Sequence, residues 1–471
     1  MVFYLYDLAR RHARCKHSLK ELLGLRNTMA AVINVNDTID RHPITAYQIG
    51  VLVLCMLVAL LDGYDTQAIG YTAPAIAQAL HLQMNVFGPV FSAGLLGAAF
   101  GALSFGPLAD RFGRKRFMVA ATIIFAVFSL LIVRVASLPE LLAYRFFAGL
   151  GLGGATPSFL ALGGEFAPTS KRGVFVSVAF AAFPFGGLIG ALTSSYVIPN
   201  FGWPFVFYIG GTAPLIMAVV LAIWLPESLR FLIARNIRLD EVRRTLARIA
   251  PGKIAPDAQL VASPEREREG VPVKHLFTDG RAAKTLLIWG AFFVCFMVLV
   301  TVTAWTPTLL RSVGFSLSAG ALIIGLNNAG SVCASALSGL LVDRFGPFKT
   351  LVPGFVIGGL CLAAFGQATS LVATLAVAST LAGFFVGGTG TGLIALTAAL
   401  YPTTVRSTAI GWGMGMGRLG QVFGPLGTGL LVGWGVGAAG IFYAAAIPCF
   451  VGAIFVLFLR FAPGMVPEIR R

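Results

Sequence analysis

The chain has 471 residues, of which 57% are hydrophobic and only 11% are charged, and its mean hydropathy is +0.84. This composition excludes an ordinary soluble domain and indicates a protein that crosses a membrane many times. A net charge of +16 would suggest a nucleic-acid partner in a soluble protein, but the placement of the basic residues indicates membrane topology instead, and no nucleic-acid partner is expected.

The first 44 residues are expected to form a cytoplasmic N-terminal segment. Its first 28 residues are basic and lack a long apolar core, which is not the pattern of a signal peptide. Met29 is an alternative start to Met1.

Beyond this segment, stretches of about 20 apolar residues recur, the length that a membrane-spanning helix needs. They predict twelve spans, near 46–70, 86–107, 117–136, 139–163, 174–197, 204–225, 285–309, 319–342, 350–368, 371–396, 408–432 and 436–460. The predicted fold is an all-α membrane protein with two six-helix bundles, residues 45–225 and 285–460. A polar linker, 226–284, joins them, and 461–471 form a cytoplasmic tail. Within the linker, 239–248 have the pattern of an amphipathic surface helix.

The distribution of Lys and Arg predicts the orientation. Of the 35 such residues, 31 fall in segments on one side of the membrane. Because cytoplasmic loops carry an excess of Lys and Arg, both termini are expected in the cytoplasm and the protein in the cell inner membrane. The exceptions are Arg134 and Arg311 on the other side and Arg145 and Arg418 inside spans.

The first span contains two acids, Asp62 and Asp65. A charge at the centre of a membrane helix costs about 2.5–3.5 kcal/mol on insertion scales. Residues three apart share one helical face, so both carboxylates are expected to line one cavity. Intramembrane acids favour a proton or ion site.

The two halves of the chain repeat each other. Leu108-Ala109-Asp110-Arg111-Phe112-Gly113 recurs as Leu341-Val342-Asp343-Arg344-Phe345-Gly346 at an offset of 233. Pro74 recurs as Pro307 at the same offset, and Pro168-Thr169-x-x-Arg172 recurs as Pro402-Thr403-x-x-Arg406 at 234. These matches predict two homologous bundles, an architecture of transporters whose site lies at the repeat interface.

The repeated motif, Gly106-Pro107-Leu108-Ala109-Asp110-Arg111-Phe112-Gly113-Arg114-Lys115, resembles the signature loop of the major facilitator superfamily. Glu165-x-x-Pro168-x-x-Lys171-Arg172-Gly173 and Pro226-Glu227-Ser228 are also similar to that superfamily. The resemblance implies a transporter fold whose loops gate access. Its gating residues would be Gly106, Asp110, Arg111, Gly113, Arg114, Glu165 and Arg172, with Asp343, Arg344 and Arg406 in the second half.

A finer resemblance is to the aromatic acid:proton symporter branch. It rests on Asp62-Gly63-Tyr64-Asp65, on Tyr401-Pro402-x-x-x-Arg406 and on the glycine-rich run 411–420 around Arg418. It implies import of 4-hydroxybenzoate, protocatechuate or benzoate with protons. No cofactor and no metal are expected, and the protein is expected to function as a monomer in the lipid bilayer.

The four intramembrane charges have no counterpart in the other half, which separates them from the repeated gating loops. We hypothesise that Asp62 and Asp65 carry the coupling proton, that Arg145 biases one of them towards the charged form, and that Arg418 binds the substrate carboxylate. Further candidates for substrate contact are the amides Asn327 and Asn328 and the rings of Tyr64, Phe183 and Trp305.

Other interpretations stay open at this stage. Asp62, Asp65 and Arg145 could form a structural salt bridge, Arg418 could pack against helix carbonyls, and the asparagines and rings could serve packing alone. The chain could carry another organic anion or a polyol, or exchange a drug for protons, although two buried arginines would repel a cationic drug. A membrane sensor that binds ligand without transport is disfavoured, because it would not need repeated gating loops. An enzyme is also disfavoured, because the sequence contains no nucleophile–base pattern.

Overall fold

The apolar stretches become long helices in the computed structural model, which describes residues 32–252, 259–261, 273–278, 280–367, 372–402 and 404–461. The choice between Met1 and Met29 and nearly all of the predicted tail lie outside the described residues. In chain order the elements are β1 (Val32–Asn34), α1 (Val35–Arg41), α2 (Ala46–Ala79), α3 (Phe87–Phe112), α4 (Arg114–Ile132), α5 (Leu138–Phe166), α6 (Arg172–Phe201), α7 (Pro204–Trp224), α8 (Leu229–Ala234), α9 (Leu239–Ile249), β2 (Gln259–Val261), α10 (Ala282–Ser312), α11 (Leu317–Phe345), α12 (Pro347–Gln367), α13 (Val372–Leu400), α14 (Arg406–Gly433) and α15 (Ala438–Leu459).

The described residues within 1–47 and 229–263 belong to one compact unit. In its described part, β1 and β2 pair in parallel, with Ile33 opposite Leu260. The predicted amphipathic helix is confirmed as α9, which buries Val242, Leu246 and Ile249. The pairing of β1 with β2 brings part of the N-terminal segment to part of the polar linker, which the sequence pattern did not predict.

Residues 48–228 and 264–471 make up the other unit, which contains most of α2 and the other eleven long helices. Of the twelve long helices in the described residues, eleven are long and apolar enough to cross a membrane. The twelfth, α14, is as long but less apolar, because it contains Arg406, Arg418 and Gln421 among nine glycines. The first long helix, α2, continues through Pro74 to Ala79, past the predicted end of the first span near 70.

The packing of the helices repeats with the sequence. In the first bundle, α2–α7, Gly149 lies against the carbonyl oxygen of Gly94, and an added Cβ would stand 1.9 Å from it. In the second bundle, α10–α15, Gly383 meets the carbonyl oxygen of Asn327 at the same 1.9 Å. These pairs correspond at offsets of 234 and 233, so glycine permits the same close backbone approach in both halves. The two bundles are therefore homologous, as predicted.

We call the end of the bundles that carries the short connections at 113, 167–171, 346 and 401–405 the basic end. Contacts join the bundles towards the other end. Ser92 of α3 donates a hydrogen bond to the carbonyl oxygen of Val422 on α14 at 2.7 Å, and Phe91 meets Trp305 edge to face at 5.3 Å. The core there is continuous across the bundle interface.

Candidate functional site

Asp65 and Arg145 form an ion pair inside the first bundle. Arg145 Nη1 of α5 lies 3.4 Å from Asp65 Oδ2 of α2, and the two side chains are 3% and 0% exposed. Ser129 of α4 donates a hydrogen bond to Asp65 Oδ1. Gly94 of α3 makes room for the guanidinium, because an added Cβ would stand 3.0 Å from Arg145 Nη2. The pair thus links three helices and is closed off from solvent.

Asp62 has different surroundings, although it lies less than one helical turn from Asp65. Its side chain is half-buried, and Thr66 donates a hydrogen bond to Asp62 Oδ1 at 3.1 Å. Thr156 of α5, whose hydroxyl donates to the carbonyl oxygen of Leu152 at 3.2 Å, lies near this carboxylate. The charged group with the largest electrostatic effect on Asp62 is Arg418 of the second bundle. The two acids share a helix face, but one is paired within its bundle and the other interacts electrostatically with an arginine of the other bundle.

Arg418 is half-buried on α14. Its Nη1 donates to Gln421 Oε1 at 3.3 Å, one turn further along the same helix. A guanidinium has five N–H donors, so this single bond leaves donors for a carboxylate. The arrangement can hold an anion between an arginine of one bundle and an acid of the other.

The two predicted asparagines occupy different positions. Asn328 and Gln67 form a reciprocal amide pair across the bundle interface, with N···O distances of 2.8 and 3.2 Å. The hydroxyl of Tyr71 donates to Gln67 Oε1 at 3.0 Å and to the carbonyl oxygen of Gly187 at 2.8 Å. Asn327 instead donates to the carbonyl oxygen of Ser379 at 2.9 Å, inside the second bundle.

The predicted aromatic side chains have their polar atoms bonded to backbone. The Tyr64 hydroxyl donates to the carbonyl oxygen of Val206 at 3.3 Å. Trp305 is fully buried, and its Nε1 donates to the carbonyl oxygen of Pro425 at 3.3 Å. Phe183 is half-buried on α6. These bonds fix the orientation of the Tyr64 and Trp305 rings.

At the basic end of the first bundle, three of the predicted gating residues, Asp110, Arg114 and Glu165, form one charged cluster. Arg114 pairs with Asp110 at 3.1 Å and with Glu165 of α5. Glu165 is buried, and its two carboxylate oxygens share one bifurcated hydrogen bond from the Ser228 hydroxyl, with O···O distances of 2.8 and 2.9 Å. The cluster ties α3, α4 and α5 to the segment that follows α7.

Gly113 ends α3 in this cluster with φ +113°. Glu227 accepts a hydrogen bond from the backbone N–H of Lys115 at 2.9 Å. A Cβ on Gly113 would stand 2.5 Å from Glu227 Oε2, so both backbone conformation and space require glycine there. Gly106 lies about two turns earlier in α3, and an added Cβ there would have only Pro157 within 4 Å.

Several gating side chains repeat their contacts in the second half. Arg172 Nε donates to the carbonyl oxygen of Ala167 at 3.3 Å, and Arg406 Nε to that of Tyr401 at 3.4 Å. The guanidinium of Arg111 lies 5.3 Å from the Phe112 ring centre, and that of Arg344 lies 5.5 Å from the Phe345 ring centre. The side chain of Asp343 lies outside the described residues.

Tyr401 fixes the connection between α13 and α14. Its hydroxyl lies 2.8 Å from that of Thr285 at the start of α10. Burial raises the pKa of the Tyr401 hydroxyl, so this group keeps its proton and remains a donor.

Sequence reasoning missed Ser129, Thr156, Gln67 and Tyr71. Gln67 and Tyr71 could have been found, because two polar side chains four residues apart in an apolar span lie on one face. Ser129 and Thr156 gave no signal, because isolated hydroxyl residues are common between membrane helices.

A family model described as Major Facilitator Superfamily matches residues 55–371 and 287–470. The chain belongs to the major facilitator superfamily of membrane transporters, and the prediction of a transporter rather than an enzyme is confirmed.

Two bacterial relatives fit the predicted branch of that family. A gallate transporter of Pseudomonas putida is 35% identical over 433 residues, which cover 92% of this chain and 96% of the relative. The 4-hydroxybenzoate transporter PcaK of Pseudomonas aeruginosa is 37% identical over 432 residues, covering 90% and 95%. The predicted resemblance to aromatic acid transporters is confirmed.

Solved structures confirm the predicted fold. A D-xylose–proton symporter superposes with a TM-score of 0.67 at 20% identity, covering 90% of this chain and 99% of that one. A partially occluded, inward-open form of the xylose transporter XylE from E. coli gives 0.68 at 19% identity, with the same coverage.

Proposed function

We propose that the protein imports a small aromatic carboxylate of the 4-hydroxybenzoate, protocatechuate or benzoate type together with a proton. The observation that carries this proposal is the electrostatic interaction between Asp62 of the first bundle and Arg418 of the second, together with the closed Asp65–Arg145 pair. Relatives named as transporters of gallate and 4-hydroxybenzoate support the substrate class.

Arg418 binds the carboxylate in this proposal. A guanidinium matches a carboxylate with two parallel N–H···O bonds, which a lysine cannot reproduce. Arg418 lies half-buried on α14, where a dielectric lower than that of water strengthens its attraction for an anion.

Asp62 carries the coupling proton. When it is ionised it competes with the substrate carboxylate for Arg418, because both are anions facing one cation. When it is protonated the competition ends, and the substrate binds. Asp65 belongs to the same proton-coupling group. Arg145 and Ser129 bias it towards the charged form, and a charged Asp65 favours proton uptake at Asp62.

The remaining site residues shape the cavity and gate it. Tyr64 and Trp305 supply aromatic walls, and Asn328, with Asn327 behind it, approaches a ring hydroxyl when the Gln67 pair opens. The charged clusters around Asp110, Arg111, Arg114, Glu165 and Arg172, with Asp343, Arg344 and Arg406, hold the basic ends of the helices as the bundles (45–225 and 285–460) move against each other.

The basic end faces the cytoplasm in this proposal, and both termini lie there, since cytoplasmic segments of inner-membrane proteins are rich in Lys and Arg. Function as a monomer is part of this proposal.

The test is uptake by vesicles that contain the purified protein under an inward proton gradient. The panel consists of labelled 4-hydroxybenzoate, protocatechuate, benzoate, a sugar and a cationic drug. We expect uptake of at least one benzoate, abolished by collapsing the gradient. Uptake of only the sugar or the drug would overturn the proposal.

A further inference from the structure

A cavity of about 190 Å³ lies in the second bundle between α11, α12 and α13, near the basic end. Most of its wall is apolar and includes Phe345, Phe384 and Phe385. It shares no lining residue with the Asp62–Arg418 site, so the proposed transport reaction makes no use of it.

The repeat explains why the cavity exists. At an offset of 233, Ser338 and Thr350 of the cavity wall correspond to Phe105 and Phe117 of the first bundle. Those two rings meet edge to face at 5.7 Å, and an added Cβ on Gly154 would stand 2.3 Å from the Phe105 ring. Aromatic rings fill this position in one half, and hydroxyl residues leave it open in the other.

Ser338 points to a polar ligand. The residue is 4% exposed, and its Oγ has no hydrogen-bond partner among the described residues. Nearby hydroxyls are bonded: Ser335 donates to the carbonyl oxygen of Ser331 at 2.9 Å, and Thr350 to that of Gly346 at 2.9 Å. A buried polar group without a partner costs about 1–3 kcal/mol, which a bound polar ligand would offset.

The cavity has a positive rim. Lys349 is exposed and lines it. The Arg344 guanidinium lies 5.5 Å from the ring centre of Phe345, which also lines it. An anionic group at the rim and an apolar ring inside would match this distribution of charge.

We propose that this cavity is a second binding site for a small aromatic carboxylate. The ring lies among the phenylalanines, the carboxylate meets Lys349, and a ring hydroxyl bonds Ser338. An apolar cavity of about 150 Å³ accommodates a benzene molecule, so 190 Å³ accommodates a single substituted ring but not a lipid acyl chain of full length. The proposal shares the ligand class of the proposed function but none of its substrate-binding or proton-coupling residues.

The test uses the full chain in nanodiscs of phosphatidylcholine, with 3-fluoro-4-hydroxybenzoate as the probe and ¹⁹F NMR as the readout. We expect two bound resonances. Ser338→Phe restores the ring present in the first bundle and should remove one resonance. Leu337→Phe, at an exposed neighbour on the same helix, should keep both. Lys349→Gln should weaken the same site by up to about fivefold, the range for an exposed charge.

Retention of both resonances in Ser338→Phe would overturn the proposal. So would disappearance of the Ser338-dependent resonance in nanodiscs that contain phosphatidylglycerol, which would assign the cavity to an anionic lipid. If Ser338→Phe aggregates, Ser338→Leu fills part of the same space and should weaken the same resonance, and an unchanged affinity would count against the site. A Ser338-dependent resonance without proton-driven uptake would refute only the proposed function.

Discussion

Two arginines inside the spans differ in what surrounds them, and this difference separates their roles. Arg145 is 3% exposed and bonded to Asp65, whereas Arg418 is half-buried and bonded through Nη1 to Gln421. A buried ion pair stabilises a fixed arrangement, whereas a half-buried guanidinium can exchange partners. Arg145 is therefore assigned to structure and proton bias, and Arg418 to substrate binding.

Arg418→Lys is expected to weaken binding of 4-hydroxybenzoate by about tenfold or more, a loss of about 1.4 kcal/mol, because an ammonium cannot make the two parallel bonds. Equilibrium binding to the purified protein measures this. Arg311→Lys, at the end of α10, is the matched control and should bind normally. Wild-type affinity in Arg418→Lys would refute the assignment.

Arg145→Gln is expected to lower thermal stability strongly, since breaking one partner of a buried pair costs about 3–5 kcal/mol. The double variant with Asp65→Asn should recover part of this loss, because it leaves no unpaired buried charge. Thermal unfolding of the purified protein measures both, with the exposed Arg134→Gln as control. A single variant as stable as the wild type would show that the pair contributes nothing.

At the scale of elements, the Gln67–Asn328 amide pair joins α2 to α11 across the bundle interface. Both amides are buried and satisfied, so opening this interface must break two hydrogen bonds and expose their groups. The pair, with the Ser92–Val422 bond, is suited to stabilise the closed state of the end opposite the basic end.

Asn328→Leu is therefore expected to favour opening of that end. Asn85 lies beside Gly429 and Gly433 of α14 and serves as the reporter position. It is changed to Cys in a chain whose native cysteines are replaced. The rate at which an impermeant thiol reagent labels this cysteine is then measured. Asn328→Leu should raise the labelling rate, whereas Asn327→Leu, whose amide bonds only within its own bundle in the described contacts, should not. Equal rates in the two variants would contradict the role of the amide pair.

Sequence pattern predicted the elements well because apolar length and the repeat determine them. It predicted that the acids share a face, but not that Asp65 is closed off and Asp62 half-buried, since this depends on how Ser129 and Arg145 pack against Asp65. It predicted α14 from spacing, although its arginines and glycines make it the least apolar span. Helix packing, which no periodicity encodes, determined the amide pair and the cavity beside Ser338.

The whole molecule consists of two homologous bundles that contribute unequal charges to one interface. The first supplies Asp62 and the second Arg418, so substrate and proton both act on the contact between the bundles. A monoanion that moves with one proton carries no net charge, and the membrane potential then does no work on the transport step.

Uptake is accordingly expected to follow the pH gradient and to be unaffected by an imposed potential. Vesicles with a potassium gradient and valinomycin, at equal pH on both sides, should show no accumulation of 4-hydroxybenzoate. The same vesicles with an inward proton gradient should show it. Accumulation driven by potential alone would mean that more than one proton accompanies each anion.

The most direct test of the account is the proton taken up when substrate binds. Purified protein in weakly buffered solution is mixed with saturating 4-hydroxybenzoate, and a pH indicator reports the change. The wild type should take up a proton and make the solution more alkaline, because Asp62 must be neutral for Arg418 to bind the carboxylate. Asp62→Asn should bind the ligand with no proton uptake, and the same uptake in this variant as in the wild type would contradict the account.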